Sequence, residues 1–99
     1  MRRLELSEAA DADIANILDY GCGRFGERVG VDYVTGLNDA VGMLCAGPTI
    51  APMLPLKRRR DVYGWLYRSH RIVFTYDADR LFVIRVLHAR MDFSRLDLV

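Results

Sequence analysis

The hydrophobic positions of the chain switch between two periods. "RRLELS" alternates, with Leu4 and Leu6 on one side, and predicts a short strand over about Arg2 to Leu6. Apolar residues then fall at Ala10, Ile14, Ile17, Leu18, Gly21 or Cys22, and Phe25, one stripe of a helical period. Ser7 stands where an N-cap is wanted, and Glu8, Asp11 and Asp13 follow where the helix dipole favours negative charge. Gly21, Gly23 and Gly26 are expected to close this helix. A second stripe, Tyr33, Val34, Leu37, Val41, Leu44 and Cys45, ends at "AGP", because Pro48 cannot continue a helix. Gly36 and Gly42 lie inside it at a cost of roughly 1 kcal/mol each relative to alanine, which predicts close approach of another backbone.

Residues 47 to 61, "GPTIAPMLPLKRRRD", hold all three prolines and the only charge run, and read as a loop crossing to the next element. Strands follow over Asp61 to Arg68, Arg71 to Asp77 and Arg80 to Ala89, separated by "SH" and "AD". Links this short permit only antiparallel hairpins. The expected class is α+β in a single domain over residues 1–99: an N-terminal strand, an α-helical hairpin and a three-stranded antiparallel sheet.

If both strand links are even-numbered turns, Arg71 pairs with Val86, Val73 with Ile84 and Leu66 with Val73. One face then carries Tyr63, Trp65, Tyr67, Ile72, Phe74, Tyr76, Leu81, Val83, Arg85 and Leu87, with the bulk to pack on the helices. The other carries Val62, Gly64, Leu66, Arg68, Arg71, Val73, Phe82, Ile84, Val86, His88 and Arg90. No helix remains to cover that second face, so a protein partner or the tail "FSRLDLV" is expected to do so. A slip of one residue in either turn would exchange the faces.

A chain of 99 residues buries only ~60–70% of the surface its unfolded form exposes, so stability is modest without a partner. With 14 Lys+Arg against 13 Asp+Glu the net charge is +1, which argues against sequence-specific or general DNA binding over the whole surface. No apolar run approaches the ~20 residues that span a bilayer, and no apolar stretch follows the N-terminal arginines, so a cytoplasmic location is expected. Cys22 and Cys45 lack nearby histidines and read as small buried hydrophobes, neither zinc ligands nor a disulfide. Glycine-rich phosphate loops, serine nucleophile motifs and metal-spaced clusters are absent from the sequence, so no cofactor or metal is expected.

Arg71, His88 and Arg90 converge on one face under that register. Arginines can stabilise a phosphate in flight and a histidine can serve as acid or base. RNA cleavage through the 2′-hydroxyl also needs a positioned base and a leaving-group acid, yet the tail offers Phe93 where a tyrosine would serve, and no lysine is near. The competing reading is strand-end polar residues paired with Asp92 or solvent. "LKRRRD" suits phosphates, an acidic partner or plain solvation. Trp65 and its flanking tyrosines read as core. His70 sits in an expected turn with no role.

The segments "LSEAADADIANILDY", "YVTGLNDAVGMLCAGP" and "YRSHRIVFTYDADRLFVIRVLHARMD" together resemble the ParE-type toxins of bacterial toxin–antitoxin modules, within the ParE/RelE superfamily. The most specific parts are "HRIVFTYD", where Arg71 matches a family arginine, and "VIRVLHARMD", with His88, Arg90 and Asp92 in place. The resemblance implies the same strand, hairpin and sheet, and a small ParD-like antitoxin whose disordered segment folds on the toxin. Val62, Leu66, Val73, Phe82, Ile84 and Val86 are the expected antitoxin surface, and Arg71, His88 and Arg90 the expected target contacts. Superfamily members either poison DNA gyrase or cleave mRNA on the ribosome. Gly64, Trp65 and Leu66 stand where the nuclease pattern wants lysines, so gyrase inhibition without catalysis is the expectation. The alternative is a RelE-like ribosome-dependent endonuclease using Arg71, His88 and Arg90, and a module that has lost its toxicity is a third reading.

Overall fold

The computed structural model describes residues 1–93. Strand β1 (Arg3–Leu6) leads into helices α1 (Glu8–Phe25) and α2 (Glu27–Ala46), a 3-10 turn (Pro48–Ile50), and strands β2 (Tyr63–Tyr67), β3 (His70–Tyr76) and β4 (Arg80–His88). The sheet order is β1-β4-β3-β2, with β1 parallel to β4 and the other pairs antiparallel. The expected α+β architecture is therefore present, and the N-terminal strand completes the sheet beside β4.

Ser7 turns the chain from strand to helix. Its Oγ accepts the Ala10 N–H at 2.9 Å, the N-cap bond the sequence predicts, and also donates to the Ile84 carbonyl at 2.6 Å. The first helix is longer than expected. It runs through Gly21 and Gly23 and breaks only at Gly26, whose φ of 97° suits glycine alone, so a single residue separates the helices. Gly21 and Gly23 are helical; a Cβ on Gly21 would lie 3.1 Å from the Gly30 Cα of α2 and one on Gly30 2.6 Å from the Cys22 backbone nitrogen, so the hairpin packs closely there, while Gly23 faces open space. Gly36 is also a close-approach site, but its neighbour is the Tyr67 ring rather than a backbone, while Gly42 faces open space. Cys45 is buried and its thiol pKa is raised by burial, whereas Cys22 is only half-buried; neither forms a disulfide.

The helix side of the sheet holds the main core, where Ile72, Phe74, Leu81 and Val83 pack on Ala10, Leu37, Val41 and Leu44. Near the β3–β4 turn the register is the expected one, with Phe74 opposite Val83 and Tyr76 opposite Leu81. A β-bulge then shifts it, so that Val73 faces Arg85, Ile72 faces Val86, Arg71 faces Leu87 and His70 faces His88. This corrects the predicted faces: Val86 and His88 turn to the helix side, and Leu87 turns away from it. β2 pairs Leu66 with Arg71, not with Val73, because the hairpin turn is Arg68–Ser69; that shift of two residues leaves the faces of β2 unchanged.

The second face is covered in part by the chain itself. Leu54 and Leu56 of the crossing loop, with Phe93, pack on Val62, Val73 and Leu87. The loop is held by backbone bonds, Leu54 N–H to Val62 carbonyl at 2.8 Å and Gly64 N–H to Pro52 carbonyl at 3.1 Å. Val62 and Val73 are fully buried, so they are not open to a partner as expected. The expected fold-back of the tail can be followed only at Phe93, since 94–99 lie outside the described residues.

Candidate functional site

Beyond Leu6 the outer edge of β4 has no strand beside it, and α1 supplies the missing partners. Asp13 accepts the Val86 N–H at 3.0 Å and grips the Arg85 guanidinium through two bonds of 2.8 and 2.9 Å. Ser7 and Asp13 thus satisfy the backbone groups that the bulge leaves open. Because β4 is tied here, its last residues are aimed reproducibly, and the bulge decides which of them face the helices.

Those residues border a groove of about 730 Å³ between the hairpin and the ends of β3 and β4. Ile17, Tyr20 and Phe25 of α1, Val29 and Tyr33 of α2, Val86, and Met91 form its mainly apolar lining. Tyr20, Phe25 and Val29 remain 67%, 60% and 51% exposed, so the groove is open rather than a sealed core. His70 and His88 stand at one end, their rings edge to face at 5.6 Å. Tyr33 organises this end: its hydroxyl meets His70 Nδ1 at 2.7 Å and accepts the Ser69 N–H at 3.2 Å. Burial, and then the neighbouring His88, hold the His70 pKa below its ordinary value. Sequence reasoning left His70 without a role; its contact with Tyr33 spans the fold, and no local pattern announces it.

Arg71 lies on the opposite face. Its guanidinium stacks on the Phe93 ring at 4.8 Å and donates to the Ala89 carbonyl at 3.3 Å. Its cross-strand neighbours are Leu66 and Leu87. The predicted cluster is therefore divided, with Arg71 on the loop-covered face and His88 in the groove, because the bulge inverts the end of β4. Arg90 gives its backbone N–H to His88 Nδ1 at 3.2 Å, and its side chain is exposed. Of the expected antitoxin surface, Leu66 is 52% exposed and Phe82 and Ile84 are half-buried, while Val86 belongs to the helix-side core.

In the charge run, Arg59 clasps Asp61 through bonds of 2.9 and 2.8 Å, which lowers the Asp61 pKa. Among the described residues no group of three or more His, Cys, Asp or Glu could hold a metal ion, and no helix is long and apolar enough to cross a membrane.

The fold has solved relatives. A chain of the chromosomal ParDE toxin–antitoxin system from P. aeruginosa superposes with a TM-score of 0.74 at 19% identity, covering 89% of this chain and 96% of that one. The YoeB dimer from Staphylococcus aureus gives 0.63 at 14% identity, over 88% of this chain and 95% of that one. The toxin–antitoxin complex RelBE2 from Mycobacterium tuberculosis gives 0.59 at 17%, over 88% and 96%. At these identities the likeness establishes the fold alone. No curated protein matches the chain. The family model described as the ParE toxin of the type II toxin–antitoxin system, parDE, matches residues 4–93, and with nearly the whole fold inside that match the chain belongs to the ParE toxin family.

Proposed function

We propose that this ParE-family toxin acts in the cytoplasm by binding DNA gyrase rather than by cutting RNA, and that a ParD-like antitoxin restrains it. The observation that carries the non-catalytic reading is the filling of the face around Arg71. Leu54 lies so close over Gly64 that a Cβ there would meet its methyl at 2.8 Å, Phe93 stacks on the guanidinium, and Leu66 stands opposite Arg71 in the ladder. A lysine at position 64 would displace the loop, and His88 is on the other side of the sheet. Proton transfer to or from a bound RNA needs groups within hydrogen-bond reach of each other's substrate atoms, and this arrangement supplies an arginine alone.

The antitoxin reading draws on the ParDE and RelBE2 relatives and on the exposed apolar surface. Leu66, Phe82 and Ile84 offer contacts on the loop-covered face, and Arg71, His88 and Arg90 remain proposed target contacts on separate patches. Purified protein in a gyrase supercoiling assay is expected to inhibit, with Arg71→Ala and His88→Ala weakening the effect separately rather than together. No inhibition at several-fold excess over gyrase would overturn the proposal. Codon-specific cuts in a translation extract, abolished by Arg71→Ala, would replace it with the nuclease reading. Unimpaired growth on expression without an antitoxin would leave only a binding role.

A further inference from the structure

The histidine end of the groove has a defined hydrogen-bonding character. The Tyr33 hydroxyl already accepts from Ser69, and its own proton is best placed for His70 Nδ1 at 2.7 Å, the Tyr67 carbonyl being 3.5 Å away. His88 Nδ1 likewise accepts, from the Arg90 N–H. A neutral imidazole carries one proton, so occupation of each Nδ1 as an acceptor leaves the proton on Nε2. Among the described residues neither Nε2 has a protein partner, and no buried side-chain nitrogen or oxygen is left unsatisfied, so both N–H groups remain open to a ligand. Two donors thus stand beside an apolar groove.

Two cations stand near this end of the groove. Arg68 and Arg90 are exposed at the same strand ends, Arg68 stacked on Tyr67. Asp13, the carboxylate of the groove lining, is committed to Arg85 and the Val86 N–H. Asp92 follows Arg90 and is exposed. From α2 the facing titratable group is Tyr33.

We infer that His70 and His88 form a carboxylate-binding site at the end of the groove, and that its occupant is a protein segment carrying an acidic residue next to apolar side chains. The apolar side chains occupy the space between Tyr20, Val29 and Val86, and the carboxylate accepts from the two Nε2–H groups. A nucleic acid suits the exposed arginines but not the side chains of Ile17, Val29, Val86 and Met91, which offer nothing polar to sugar or base edges. Both Nε2 donors are in place on the neutral rings, so the carboxylate needs no further proton to be held. The identity of the segment as part of the antitoxin rests on the reading above; the chemistry of the site does not.

The test uses the purified full chain and two probes of matched shape, 4-phenylbutyrate and 4-phenylbutanamide, titrated by NMR of the histidine ring signals at one fixed pH. The carboxylate is expected to move both ring signals and to bind about tenfold more tightly than the amide. His88→Gln, at an exposed position, is expected to reduce the ratio to about one while the thermal transition is unchanged, and His70→Gln to reduce the ratio likewise. Equal binding of the two probes, unmoved histidine signals, or an undiminished preference in folded His88→Gln would overturn the inference. So would displacement of the carboxylate by a dinucleotide at lower concentration, which would make nucleic acid the occupant. Growth arrest in cells is read separately: its loss in the unmodified protein defeats the toxin reading and leaves the probe result standing.

Discussion

The two faces of the sheet carry similar alternating apolar residues and are closed by different means. On one, Phe74, Ile72, Leu81 and Val83 lie under a helical hairpin and are fully buried. On the other, Leu54, Leu56 and Phe93 seal Val62, Val73 and Leu87, while Leu66 next door stays 52% exposed. A pair of helices presents a continuous apolar stripe as wide as the sheet, whereas a proline-containing loop covers only a strip. Among the described residues, exposed apolar surface therefore includes Leu66 beside the loop and the groove where the hairpin stands off the sheet, apart from scattered residues such as Leu4, Val31 and Met43.

The sharpest break in that comparison is Phe74→Ala. Removing the ring from the sealed face is expected to cost about 3–5 kcal/mol, a large part of the ~5–15 kcal/mol that stabilises a domain, read by urea denaturation. Leu54→Ala tests the loop-covered face and is expected to cost less, about 2–3 kcal/mol, because the loop can settle. It should also expose Val73 and increase binding of a hydrophobic dye in the folded state; an unchanged dye signal would mean that the loop contributes no cover. Asp13→Ala addresses the tie between α1 and the bulge. It removes the bonds to Arg85 and Val86 N–H, and a loss of roughly 2 kcal/mol is expected, since Arg85 retains access to solvent.

Gly36→Ala should cost roughly 1–2 kcal/mol even though alanine is the better helix former, because the new methyl meets the Tyr67 hydroxyl. Tyr67→Phe in the same background is expected to recover part of that loss, a gain measurable as a higher melting temperature. The smallest effect concerns His70, whose folded-state pKa is lowered from its ordinary 6.5 by burial and by His88. Between the ordinary and the lowered value the unfolded chain holds a proton that the folded one lacks. Stability from this group is present above the ordinary value and is lost as pH falls through the lowered one. His70→Gln should flatten the stability profile in that acidic window, and an identical slope in both proteins would contradict the assignment.

The element order, the Ser7 cap and the meander were legible because each is written within a few neighbouring residues. The segment "VIRVL" was not, since apolar residues occupy both parities around Arg85 and a period of two cannot locate an extra residue. The bulge settles that ambiguity, which is why Val86 and His88 were expected beside Arg71 and instead face the helices. Leu54 and Leu56 were missed as cover because residues in a proline-rich loop and just after it carry no periodic signal. Gly64, read as a missing lysine, is also the gap through which Leu54 passes. The Tyr33–His70 contact joins α2 to β3 and has no local signature at all.

The sequence by itself determined what short-range sterics and the burial of one stripe can specify: a strand, a tight helical pair, and hairpin-linked strands, together with the residues that carry the ParE resemblance. Only the tertiary structure decided the parallel pairing of β1 with β4, the shift in β4, and the division of Arg71 from His88. Those depend on which distant group satisfies each backbone N–H and carbonyl. Here Ser7 and Asp13, brought back by α1, bond the groups that the bulge frees, and their positions relative to β4 exist only once the chain has folded.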